Sequence, residues 1–175
     1  MLALVTEFQH AVAGIKMSLL DSELEVELRR KLPPGVRMYT GDDYHYAELI
    51  RRADGDASDA LLGVFAAIAP AASAALQALR RGDLAGYDGA LLPTVPLARH
   101  LFAAPAQYYK AGIAFVAWLA GHQPGFTMVG GLHSGRSIPH LLRTAQLAAD
   151  AGVLPDPRLA ASRLRVLLTV AGLTP

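Results

Sequence analysis

The chain has 175 residues, a net charge of +1, 53% hydrophobic and 18% charged residues, and no cysteine. That balance excludes a strongly charged nucleic-acid or anionic-membrane binder, a disulfide scaffold or thiolate metal site, and a disordered chain. The length admits one domain with a sizeable core.

At the start of the chain, Glu7 and His10 interrupt any basic-then-apolar leader, so no secretory signal is expected. The lack of cysteine fits a reducing cytoplasm, the expected location. Residues 2–10 read as a helix end and 12–18 as a strand. Asp21 or Ser22 can cap a helix running to about Leu32, because a side-chain oxygen there satisfies free N–H groups of the first turn. Pro33-Pro34-Gly35 stops it. Val36–Thr40 reads as a second strand, Tyr44–Arg52 as a short helix, Leu61–Phe65 as a third strand and Pro70–Arg81 as a helix. The stretch from Ala60 to Leu79 carries no charge and is long enough to span a bilayer, but Gly63, Pro70 and Ser73 interrupt it, and a strand followed by a helix is the preferred reading.

After Gly82 the pattern is helical only. Asp83 can cap a helix reaching about Leu101, Pro105 starts another ending near Gly121, and 138–151 and 157–171 form two more. The order β-α-β-α-β-α implies parallel strands with crossover helices over residues 1–82. Residues 83–175 are expected to form a helical region packing on them.

Four stretches could carry chemistry. Along the first strand Val12, Gly14, Lys16 and Ser18 share a face, which puts Lys16 among small neighbours near the strand's C-terminal end. In parallel α/β sheets ligands bind at that end. A lysine in an apolar pocket loses solvation of its charged form, so its amine can attack a ketone or aldehyde. The simpler alternative is a lysine that buries its stem and reaches solvent. "MYTGDDY" places Thr40, Gly41, Asp42 and Asp43 at the next strand's end, as a polar substrate contact or as a turn with a helix cap. "GVFAAIAP", residues 63–70, has small residues that would let a ligand approach, or is an efficient buried strand. "GGLHSGRS" sets His133, Ser134 and Arg136 before a helix, a candidate anion site or a polar loop with a cap. The six histidines lack metal-ligand spacing, so no metal is expected.

In order, "VAGIKMS", "MYTGDD", "LLGVFAAIAP" and "ALQALRRGDLAGY…LLPTVPLARHLFAAPAQYYKAGIAFVAWLAG" resemble the C-terminal half of the dihydrodipicolinate synthase / N-acetylneuraminate lyase family. Within it they are most similar to a poorly characterised branch described as a domain of unknown function. The resemblance covers about residues 8–121 and, more loosely, 152–173. It implies an α/β fold, a partial (β/α)8 TIM barrel holding strands six to eight, followed by a C-terminal helical extension. It implies that Lys16 forms a Schiff base with a keto-acid such as pyruvate. Thr40, Gly41, Asp42 and Asp43 would contact substrate at the barrel mouth, with Phe65 and Ala66 near it. No metal or organic cofactor is implied.

Several features depart from the family pattern. "APAQYYK" stands where that family has Asn-Pro and reads as a structural helix start around Lys110. Residues 122–151 look like an insertion, so no role for His133 or Arg136 is inherited. A complete barrel needs eight strands and about 250 residues. The family's carboxylate-binding turn and catalytic tyrosine would precede this segment. The expected partners are therefore a small keto-acid and either further copies of the chain or a missing N-terminal half of the barrel, with no nucleic acid and no membrane. The other reading is a non-catalytic barrel fragment acting as an interaction or assembly module.

Overall fold

In a computed structural model the described residues are 1–51 and 56–173. Helix α1 (Leu2–Glu7) leads into strand β1 (Gly14–Met17), α2 (Ser22–Arg30), β2 (Arg37–Thr40), α3 (Tyr46–Ile50) and β3 (Asp59–Ala60). The three strands are parallel and lie in sequence order, with Gly14 opposite Arg37, Lys16 opposite Tyr39, and Thr40 opposite Ala60. Asp21 caps α2 by accepting the Leu24 N–H at 3.0 Å, with Glu23 and Glu25 in the first turn and Arg29 and Arg30 in the last, where the helix dipole favours those charges.

The third strand is shorter and earlier than the sequence suggests. It ends at Ala60, and the apolar run that follows enters helix α4 (Phe65–Arg80). A short apolar run has no periodicity that separates a buried strand from a buried helix, and here alanine's helix preference prevails. Pro70 lies inside α4, and the helix is kinked at Ile68 (φ −124°, ψ 22°), two residues before the missing N–H. No helix among the described residues is long and apolar enough to cross a membrane.

Helix α5 (Leu84–Leu91) starts on an Asp83 cap that accepts the Gly86 N–H at 2.8 Å. The single helix expected to reach Leu101 is instead broken into α5, a 3-10 turn (Leu92–Thr94) carrying Pro93, and α6 (Val95–Leu101). A further 3-10 turn (Ala106–Tyr108) precedes α7 (Tyr109–Leu119), and another (Val129–Gly135) precedes α8 (Ile138–Asp150). Asp156 caps α9 (Pro157–Val170).

The expectation of a partial (β/α)8 barrel with strands six to eight is corrected by this topology. Among the described residues there are three strands of four, four and two residues in one open parallel sheet, and the rest of the ordered chain is helical. The architecture is α/β in kind, but its helices are not distributed around a closing sheet. Ala72, Ala75 and Ala78 on α4 are buried, so that helix can approach α5 closely. One core cluster runs from Tyr46 through Ile68, Tyr87, Leu91 and Leu101 to Ala148, and a second joins Phe115, Leu119, Leu141, Ala145 and Ala160. The Tyr87 hydroxyl donates to the Ala47 carbonyl at 2.7 Å, tying α5 to α3 inside the first cluster.

The sheet is buried unequally. Met17, Met38 and Thr40 share the buried face, against which α2 and α3 pack. On the face carrying Gly14, Lys16, Arg37 and Tyr39 no residue is buried until Gly41. That asymmetry positions the functional candidates.

Candidate functional site

The C-terminal ends of the three parallel strands converge on a cleft of about 350 Å³. Lys16 and Ser18 enter it from β1, Gly41 and Asp43 from the turn after β2, and Gly63 from the turn after β3. Phe102 at the end of α6, Gln107 in the 3-10 turn after it and Tyr109 at the start of α7 form its far wall.

Gly41, just after β2, lies close against the end of β1. Its N–H donates to the Met17 carbonyl at 2.6 Å. A β-carbon there would lie 2.5 Å from Lys16 Cε, 2.7 Å from Ser18 Oγ and 2.8 Å from the Met17 carbonyl oxygen. Glycine therefore lets the lysine stem lie across the turn. Lys16 is exposed, as in the reading in which it buries its stem and reaches solvent, and is not enclosed in an apolar pocket.

Asp43 is 5% exposed, and its Oδ1 accepts the Val64 N–H at 2.7 Å at the entry to α4. Burial pushes its carboxyl up to about 6 from an ordinary 3.8, outweighing the Val64 hydrogen bond and the nearby positive charge of Lys16. A carboxyl that titrates there can both hold and release a proton near neutral pH.

The other candidates lie elsewhere. Asp42 is buried, and its Oδ1 accepts the N–H groups of Tyr44 at 2.8 Å and His45 at 2.9 Å, while Oδ2 lies 2.8 Å from His45 Nδ1. It builds the turn into α3 and does not line the cleft. Thr40 faces the opposite side of the sheet, where its hydroxyl accepts the Asp42 N–H at 3.2 Å and interacts with buried Glu25. Phe65 packs edge-on against Tyr46 at 5.9 Å, and Ala66 is exposed on α4, while Gly63 occupies the cleft position they were expected to share.

Arg136 is buried and donates to the carbonyls of Leu101 at 3.0 Å and Ala103 at 2.7 Å, so its guanidinium is committed to the C-terminal end of α6. His133 accepts the Met128 N–H on Nδ1, and the Ser134 hydroxyl donates to the Gly131 carbonyl, folding their loop on itself. Gly130 and Gly131 adopt φ of 68° and 72° there. These three residues are not brought to the cleft. Lys110 is likewise outside it, exposed with its ammonium 6.0 Å from the Tyr109 ring centre. Among the described residues no group of three or more His, Asp or Glu side chains is arranged to hold a metal ion.

The cleft wall of Phe102, Gln107 and Tyr109 has no sequence signal linking it to Lys16. It sits more than eighty positions downstream in a segment that reads as an ordinary helix start.

The pH dependence of stability reports on these placements. Asp43, raised to about 6, favours the folded state at low pH, and that contribution is lost as pH rises from 3.8 through 6. Buried Glu25, also raised by desolvation, acts in the same direction. His140 stacks on His100 at 4.0 Å, and burial, with the charges of His100 and Arg136, pushes it down to about 4 from 6.5. Its contribution is instead lost as pH falls from 6.5 through 4. The two slopes oppose each other between about pH 4 and 6. Urea midpoints of Asp43→Asn should therefore climb more steeply from pH 4 to 6.5 than those of the parent. Those of His140→Phe should fall over that range, and parallel profiles for all three proteins would contradict the assignment.

Residues 1–173 match the family model described as "Protein of unknown function (DUF993)". No curated protein matches the chain.

Proposed function

The chain belongs to the DUF993 family, and we propose that it performs Schiff-base carbonyl chemistry of the lyase or aldolase kind, with the amine of Lys16 acting on a keto-acid such as pyruvate. The observation that carries this reading is the meeting of Lys16 and Asp43 in one cleft at the C-terminal ends of parallel strands. The similarity of "VAGIKMS" and "MYTGDD" to the dihydrodipicolinate synthase / N-acetylneuraminate lyase family supports the same chemistry. The proposal stands on the strand ends and not on a barrel.

In the proposed reaction the exposed Lys16 amine, having given a proton to solvent, adds to the keto carbon, and the carbinolamine takes a proton back from solvent and loses water, leaving an iminium. The iminium draws electrons from the adjacent carbon. Asp43 takes the proton released from that carbon and returns it when the enamine is quenched, a role suited to a carboxyl titrating at about 6. Gly41 keeps the lysine stem against the turn, so amine and carboxyl approach one carbon from neighbouring strands.

Borohydride reduction in the presence of pyruvate tests this directly. Hydride delivered to the iminium carbon should leave a stable secondary amine on Lys16, located by peptide mass mapping, and Lys16→Ala should give none. A folded parent chain without adduct would defeat the proposal. It would favour the second reading, an interaction or assembly module, which the exposed Leu19, Leu24 and Leu61 and the open sheet face suggest. Sedimentation of the parent chain would then show self-association.

A further inference from the structure

We infer that the cleft selects a carbonyl substrate whose far end is an aryl group, seated against Phe102 and Tyr109. This rests on the Schiff-base reading of Lys16. The two rings are stacked, with centres 4.3 Å apart and planes at 21°, and both line the cleft that Lys16 enters.

The wall is held in place from behind. The Tyr44 hydroxyl donates to the Phe102 carbonyl at 3.0 Å, and buried Arg136 donates to the carbonyls of Leu101 and Ala103 on either side of it. Three consecutive carbonyls at the end of α6 are thus tied, and the Phe102 ring is presented from a fixed backbone. Gly63 completes the seat, because a β-carbon there would lie 2.9 Å from Phe102 Cζ and 3.1 Å from Tyr109 Cε2. The rings therefore press against the turn next to the Asp43 carboxyl.

Charge points the same way. Among the described residues lining the cleft, Lys16 is the one cation, and in the iminium its positive charge sits at the keto carbon and not at the far end. The far end offers two rings and the neutral amide of Gln107, which suits a flat apolar substituent better than a second carboxylate.

The test compares pyruvate with benzylpyruvate, which have the same keto-acid head, in borohydride trapping on the full chain. Benzylpyruvate should reach half-maximal trapping at a concentration about tenfold lower. Phe102→Leu should bring the half-maximal concentrations of the two acids close together, removing the preference for benzylpyruvate. Tyr109→Leu takes its place should Phe102→Leu lose its thermal transition. Equal half-saturation of the two acids, or a preference that survives the substitution, overturns the inference and leaves the Lys16 chemistry standing. If neither acid is trapped, the Schiff-base reading fails by itself. Saturation-transfer NMR with hydrocinnamate then decides the aryl seat: contact to its ring protons that Phe102→Leu abolishes sustains it, and absence of contact overturns it.

Discussion

Asparagine in place of Asp43 is expected to slow exchange of pyruvate's methyl protons with deuterium by about 10²- to 10⁴-fold, while borohydride still traps the keto-acid on Lys16. The substitution preserves shape and keeps an oxygen to accept the Val64 N–H. It removes only the ability to take up and return a proton. Imine formation at Lys16 and proton removal at the neighbouring carbon are separate steps, so the two readouts should part. The parent's exchange rate should also rise through about pH 6, as the carboxyl ionises, and that limb should vanish in the variant. Equal losses of trapping and exchange would make Asp43 a support for Lys16 and remove its role as base. An unchanged exchange rate would remove Asp43 from the reaction.

Valine at Gly41 should be damaging for a different reason. The added side chain would collide with the Lys16 stem and, more seriously, with the Met17 carbonyl of the neighbouring strand, which cannot swing aside as a side chain can. The strand ends must separate, weakening the Gly41–Met17 hydrogen bond and pushing Lys16 away from Asp43. Overpacking of this kind costs about 1–3 kcal/mol, visible as a lowered urea midpoint. Trapping on Lys16 should fall by at least about tenfold, the result of displacing a reacting group by an ångström or so. A variant that traps pyruvate at the parent's rate would show that the close approach at Gly41 is not what places the amine.

Much of the local structure was legible in the chain. Asp21 and Asp83 cap the helices they precede because capping depends on a few neighbouring residues. The alternation that puts Gly14, Lys16 and Ser18 on one face is equally local. Two errors came from the same source. The run at Leu61–Phe65 is a turn and a helix start, and Leu92–Thr94 interrupts what reads as one helix. Alanines following the first stretch and Pro93 within the second bias the backbone, while packing sets where each element begins.

Residue type and short spacing therefore established the caps, the parallel strand–helix alternation and the pairing of a strand-end lysine with an acidic turn one helix later. Three-dimensional packing settled which of the two aspartates reaches the cleft. Asp42 turns to the N–H groups of Tyr44 and His45 and to the His45 ring, whereas Asp43 reaches Val64 across the turn. Packing also left the Lys16 face of the sheet uncovered, turned Thr40 away, and brought Phe102 and Tyr109 to the strand ends. Side-chain direction at a turn and contacts between distant segments depend on which surfaces the whole core buries, and no short window of residues encodes that choice.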